Sequence, residues 1–135
     1  MELVYKYNDL ESRNRTDLLD EKGSLRYWGI YDFAYKYRTR IFDENDNEVA
    51  YVQKDVSVNE DVVIFYDAAG NETGRLTRKD GTLLLEPDGK VYEGDRKNGM
   101  IKDLLCIKEG SLSFDQEEDM LKSVMVLFAL VEIDR

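Results

Sequence analysis

The C-terminal stretch from Asp115 to Arg135 constrains the fold more than any other part of the chain. It opens with acidic and polar side chains and turns apolar from Met120. The eight residues from Val124 to Val131 carry no charged side chain and no hydrogen-bonding hydroxyl or amide. At 100° per residue these positions cover every side of a helix, so no face is left for water. The pattern predicts a helix at about 116–133 that is enclosed by protein or by lipid.

The length of this helix favours protein over lipid. A membrane-spanning helix needs about 20 predominantly apolar residues, whereas Lys122 and Ser123 interrupt this stretch early. The apolar part from Met120 to Val131 would be about 18 Å long. A barrel wall of tilted strands of roughly seven residues has a similar height. We therefore expect the helix to fill a barrel, with a short membrane anchor as the alternative.

The residues before the helix read as a ladder of short strands separated by turns. Similar turns begin at Asp20, Asp43 and Asp67, at intervals of 23 and 24 residues, which indicates a hairpin rhythm. Strict alternation over 35–41 predicts a strand with Lys36, Arg38 and Arg40 on one face. We expect residues 8–15 to form a loop and no helix to precede the C-terminal one. Further strands are predicted at 2–7, 24–30, 48–54, 62–66, 73–77, 90–93, 100–107 and 111–114. The fold class is mainly β, an antiparallel barrel or sandwich.

Composition narrows the function. The chain has 135 residues, which fits one domain, 1–135, and its net charge of −10 with a pI near 4.5 argues against nucleic-acid binding. Histidine is absent, which removes the commonest general base and metal ligand. We expect no enzyme activity, no cofactor, no metal site and a monomer. The N-terminal residues show no signal-peptide pattern, so a cytoplasmic location is expected.

Two residues invite a functional interpretation that we set against a structural one. Cys106 lies in an apolar run and is expected to be an inert core thiol, the alternative being a reactive nucleophile, for which no histidine or nearby cation is evident to activate it. Trp28 is expected to belong to the core, the alternative being that it lines a ligand pocket.

Two segments of the chain resemble parts of a known family, the apolar segment from Asp119 to Asp134 and the hairpin from Ile41 to Val52. The first is similar to the C-terminal helix of the tubby-like superfamily, in particular of its LURP-one-related and phospholipid scramblase branches, and the second is similar to the strand–turn–strand unit of that superfamily. The resemblance implies a closed barrel of about twelve strands around one hydrophobic helix. It also implies a small non-enzymatic binding or scaffold module whose ligand is unknown.

The resemblance suggests two sites. Tubby proteins bind phosphoinositides through clustered cations, for which Lys36, Arg38 and Arg40 are the candidates here. The alternative is that these cations pair with acids on neighbouring strands. Scramblases carry an acidic calcium-binding segment before the helix. The comparable acids here also suit the start of a helix, with Asp115 and Glu118 fitting a capping box. These acids are Asp115, Glu117, Glu118 and Asp119.

Three functions follow from the sequence. The first is a cytoplasmic binding or scaffold module, and the second is a peripheral phospholipid-binding protein with weak membrane contact through the cation face. The third is a hydrolase that uses a pair of carboxylates.

Overall fold

The computed structural model describes residues 1–135. Its elements are β1 (Glu2–Val4), α1 (Tyr7–Glu11), β2 (Thr16–Leu19), β3 (Leu25–Tyr31), β4 (Arg38–Asp43), β5 (Glu48–Lys54), β6 (Asp61–Asp67), β7 (Glu72–Lys79), β8 (Thr82–Glu86), β9 (Lys90–Gly94), β10 (Asn98–Ile101), β11 (Leu105–Lys108), β12 (Ser111–Phe114), a 3-10 turn (Glu117–Asp119) and α2 (Met120–Ile133).

The twelve strands form one closed antiparallel barrel. Each strand pairs with its neighbours in sequence, and the ring closes where Leu3 of β1 lies opposite Leu112 of β12. Closure leaves no row of unpaired backbone groups at a sheet edge, where another chain could add a strand. The predicted closed barrel is confirmed, and the sandwich alternative is wrong.

Helix α2 occupies the inside of the barrel. Every side chain from Ser123 to Ile133 is buried, and the apolar ones join inward-facing strand residues in a single core. Because the helix is apolar on all sides, strands can surround it without leaving an apolar face in water. The prediction of an enclosed helix is confirmed. No helix of the chain is both long enough and apolar enough to cross a membrane.

The hairpin rhythm has one repeated cause. In the turns that begin at Asp20, Asp43 and Asp67, one carboxylate oxygen accepts the backbone N–H groups of the residues two and four positions later. Such a side chain satisfies the backbone of a turn that has no sheet partner. These hydrogen bonds lower the pKa of Asp20 and Asp67. The predicted turns are confirmed.

Three local predictions are wrong. Residues 7–11 form α1, which buries Leu10 in the core, so a helix does precede α2. The strand predicted at 35–41 begins only at Arg38, because Tyr37 has a left-handed φ of 62° that ends the extended run. The strand predicted at 100–107 is two strands. They are separated by a tight turn in which Asp103 has φ of 61° and Leu104 N–H bonds the carbonyl of Ile101.

The start of α2 also differs from expectation. The capping box does not form, since neither the 3-10 turn nor α2 has a side-chain hydrogen bond at its N-cap. Glu117 instead accepts a hydrogen bond of 3.0 Å from Arg26. The negative charges still lie near the positive end of the helix dipole.

Both residues expected in the core face the outer wall of the barrel. In β11, Leu105 and Ile107 point inward and are buried, so Cys106 between them points outward and is half-buried. In β3, Gly29 points inward against the helix, which places Trp28 on the outside. Side chains alternate between the two faces of a strand, and this alternation determines which of them face the core. The apolar character of a single side chain does not.

Candidate interaction site at one barrel rim

The C-terminal end of α2 reaches one rim of the barrel, which we call the exit rim. Lys54, at the end of β5, donates hydrogen bonds to the carbonyl oxygens of Ile133 (3.1 Å) and Arg135 (2.8 Å). Arg78, near the end of β7, also donates to the carbonyl of Ile133 at 3.3 Å. These cations satisfy carbonyls that have no partner within the helix and offset the negative end of its dipole.

Two neighbouring loops of the exit rim, 32–37 and 55–60, form a surface that we call the loop pair. They join β3 to β4 and β5 to β6. The backbone N–H of Lys54 donates to the carbonyl of Tyr37 at 3.0 Å, so the two loops leave the barrel side by side. The three most exposed large hydrophobic side chains of the chain lie here, Phe33 (77%), Val56 (69%) and Tyr35 (54%).

The loop pair is held in shape by its own acids. Asp32 accepts the backbone N–H of Ala34 at 3.0 Å. Asp55 accepts both the N–H (3.0 Å) and the hydroxyl (2.6 Å) of Ser57, and these bonds lower the pKa of Asp55. A loop whose backbone is already ordered loses little conformational entropy when it binds. The exposed side chains are therefore presented by a preorganised surface.

Aromatic contacts fix the side chains of the first loop. Phe33 packs edge-on against the ring of Tyr31, with ring centres 4.8 Å apart. Tyr35 lies over the guanidinium of Arg38, which is 4.0 Å from its ring centre. Both rings keep another face open to solvent, as their exposure shows.

The structure does not place Lys36, Arg38 and Arg40 in one row. Lys36 lies in the loop pair, is exposed, and has no ion pair or side-chain hydrogen bond. Arg38 donates two hydrogen bonds to the side-chain oxygen of Gln53, at 3.0 and 2.7 Å. Arg40 forms a 2.8 Å ion pair with Glu48, which raises the pKa of the guanidinium. Two of the three predicted head-group cations are thus engaged with neighbouring strands.

Trp28 takes part in a stack on the outer wall. Its ring lies on Phe42 with centres 4.1 Å apart, and the guanidinium of Arg15 lies 3.9 Å from its ring centre. The indole N–H donates to the carboxylate of Asp46 at 3.0 Å. The ring faces are used by neighbouring side chains, so this Trp stiffens the wall.

Sequence reasoning missed the buried acid at the exit rim. Glu132 is 0% exposed, and its Oε1 accepts a 2.8 Å hydrogen bond from the hydroxyl of Thr39. Oε1 also lies 3.5 Å from Nε of Arg135, while Oε2 has no partner. Burial raises the pKa of Glu132 to about 7, although the Thr39 hydrogen bond and the charges of Arg13 and Lys54 act in the opposite direction.

A signal for this acid was present in the sequence. Glu132 lies four residues after Phe128 and three after Ala129, so it shares their side of the helix. A charged residue directly after an apolar run is ordinarily a sign that the helix has reached solvent. On a helix with no solvent side, a carboxylate only one residue beyond the run is still inside the barrel.

Ion pairs surround the helix end. Asp134 accepts from both Arg78 and Arg96. Arg96 also forms a two-pronged pair with Glu11 of α1, at 2.8 and 3.0 Å, which raises the pKa of the guanidinium. The network ties α1, the β7 end and the β9–β10 loop to the last turn of α2.

The acidic segment before the helix lies at the opposite rim. Asp115, Glu117, Glu118 and Asp119 precede α2 there, and no group of three or more acidic or cysteine side chains in the chain is arranged to hold a metal ion.

We compared the chain with models of protein families, with curated proteins and with solved structures, and none of them matches it.

Proposed function

We propose that this protein is a non-enzymatic binding module of the tubby-like type that contacts a protein partner through the loop pair. The observation that carries the proposal is the position of Phe33, Tyr35 and Val56, which are the most exposed large hydrophobic side chains and lie in adjacent loops. Because α2 fills the barrel, a ligand site on the outer surface is favoured.

The chemistry of the loop pair suits a protein. Aromatic side chains at the centre of a patch, with charged groups around them, are typical of protein interfaces. Here Asp32, Asp55, Glu60 and Lys36 supply both signs of charge around the apolar residues. The excess of ten negative charges over the whole chain disfavours an anionic membrane as the principal partner.

The test compares two pairs of substitutions with the same chemistry. Phe33→Asp/Val56→Asp places charges on the loop pair, and Val91→Asp/Met100→Asp places them on the outer wall, where the native side chains are 44% and 48% exposed. After cross-linking in cells and purification, we expect a discrete partner with the unchanged protein and the wall variant. We expect its loss with the loop-pair variant. Equal recovery from both variants would contradict the proposal, provided that both melt like the unchanged protein.

A peripheral phospholipid-binding protein is the second candidate. Its support is that Lys36 is exposed and unpaired in the same loop as Phe33 and Tyr35. Apolar side chains beside a cation are typical of surfaces that rest on anionic lipid. Co-sedimentation with phosphatidylserine vesicles at low salt tests it. Binding that is lost in Lys36→Glu would favour lipid over protein, and no binding would exclude the lipid function.

The carboxylate-based hydrolase has the least support. Glu132 is the acid with the raised pKa, and its side chain is sealed away from any substrate on the surface.

A further inference from the structure

We propose that Glu132 is a proton-responsive latch, which holds the last turn of α2 inside the barrel when it is protonated and loosens that turn when it is ionised. The latch does not depend on which partner the loop pair binds. Its basis is a fully buried carboxylate, at the end of the central helix, with one oxygen that no group satisfies.

The surroundings of Glu132 contain too few donors for a carboxylate. From β4, only the hydroxyl of Thr39 donates to it, at 2.8 Å. Arg135, which follows α2, forms a long ion pair of 3.5 Å with Oε1 through its Nε, makes no hydrogen bond to the carboxylate, and leaves its own buried Nη1 without a partner. Ionised carboxyl groups in proteins usually accept several hydrogen bonds, so the charged form is poorly supported here. A proton on Oε2 removes the charge that this site cannot satisfy.

The more distant cations are already engaged elsewhere. Lys54 of β5 donates to the carbonyls of Ile133 and Arg135, and Arg13 lies over the ring of Tyr31, 4.5 Å from its centre. The charged groups that face the helix end from the remaining elements form ion pairs with one another, and one of them, Asp61, also lies 3.8 Å from Nζ of Lys54. They are Glu11 of α1, Asp61 of β6, Arg78 of β7, Arg96 of the β9–β10 loop, and Asp134.

The position of Glu132 determines which part of the helix responds. Asp134, two residues later, is already exposed at the exit rim, whereas residues from Ser123 to Ile133 are buried. Water can reach Glu132 if the last turn moves outward, while the rest of α2 stays packed. The ion pairs of Asp134 limit this movement and draw the turn back. The result is a local opening, not unfolding of the barrel.

The opening falls in a pH range where few other groups change charge. Burial raises the pKa of Glu132 to about 7, from an ordinary value of 4.5. The chain contains no histidine, so no imidazole titrates between pH 5 and pH 8. If the open turn restores the ordinary value, its population rises about thirtyfold between pH 5.5 and pH 8.

Hydrogen–deuterium exchange measured by mass spectrometry tests the latch in the full chain. After correction for the intrinsic pH dependence of exchange, we expect peptides covering 129–135 to lose about thirtyfold in protection between pH 5.5 and pH 8. Peptides covering 120–126 should keep theirs. Glu132→Gln should remove the change, and Glu118→Gln, an exposed residue at the other helix end, should retain it. Equal protection of the last turn at both pH values in the unchanged protein would overturn the proposal.

A second measurement tests the latch without any variant, so it remains decisive if Glu132→Gln does not fold. Carboxyl carbon shifts of the unchanged protein, recorded by NMR across pH 4 to 9, should show one side chain with a midpoint near 7. A Glu132 midpoint close to the ordinary value would refute the latch, whatever the exchange data show.

Discussion

The ring of Phe128 in α2 lies so close to Gly29 of β3 that a Cβ at position 29 would be 2.3 Å from Cζ of that ring. Real Cβ atoms essentially never come within 3.0 Å of a heavy atom to which they are not bonded. The absence of a side chain at Gly29 lets the wall approach the helix at this point. One glycine therefore helps to set how the helix sits within the barrel.

Substitution of this glycine should destabilise the fold. We expect Gly29→Ala to lower the free energy of unfolding by about 1–3 kcal/mol, because the methyl group forces the ring or the strand to move. Urea denaturation measures the change. Phe128→Leu removes the ring and gives the new methyl group room. We therefore expect Gly29→Ala to cost less stability when it is added to Phe128→Leu than when it is added to the unchanged protein. Strictly additive effects would argue against this contact.

A charge in the middle of α2 should abolish folding. Ala129 is 0% exposed in the core, so Ala129→Asp would bury a carboxylate with no partner. We expect no cooperative melting transition by circular dichroism. Ala68→Asp makes the same change in an exposed turn and should melt like the unchanged protein. A normal transition for Ala129→Asp would mean that the helix is not enclosed.

The stability of the protein should fall as pH rises towards neutrality. The folded pKa of Glu132 is raised, so the folded state holds its proton more tightly than the unfolded state between pH 4.5 and about 7. The contribution of protonated Glu132 to stability is fully present below pH 4.5. It falls by about 3 kcal/mol as the pH rises through the folded pKa. Acids with lowered pKa, such as Asp20 and Glu11, act in the opposite sense and only at lower pH.

Urea denaturation at pH 5 and pH 8 measures this slope. Glu132→Gln should flatten it, and Glu118→Gln should leave it unchanged. A slope that persists in Glu132→Gln would assign the pH dependence to another group.

The outward direction of Cys106 has a simple consequence. We expect Cys106→Ser to cost less than about 1 kcal/mol, because the new hydroxyl faces the outer wall. Ile107→Ser, one residue later and 0% exposed, should cost about 3 kcal/mol or more through the lost apolar contacts and the buried hydroxyl. A larger loss for Cys106→Ser than for Ile107→Ser would indicate that this strand has the other face inward.

Features with a local cause were predicted well. The apolar run from Val124 to Val131 has no polar side in any helical orientation, and this is a property of the sequence alone. The turns at Asp20, Asp43 and Asp67 depend on hydrogen bonds within five residues. The strands between them follow from alternation and from those turns.

Features that depend on distant residues were not predicted. Lys36, Arg38 and Arg40 do not form one row, because the left-handed conformation of Tyr37 interrupts the extended chain and separates Lys36 from Arg38 and Arg40. The direction of Cys106 and Trp28 depends on strand register, and a shift of one residue reverses it.

Local sequence patterns were enough to predict the central helix and the hairpin rhythm, and from these an antiparallel barrel or sandwich, because periodicity and turn chemistry act over a few residues. The location of a possible site, in contrast, depends on contacts between residues that are far apart in the chain. The pairing of β4 with β5 brings the loop of Phe33 beside the loop of Val56, although they are more than twenty residues apart. Barrel closure around α2 buries Glu132 next to Thr39, 93 residues earlier in the chain. Contacts of this kind depend on the register of the whole barrel, which no local pattern encodes.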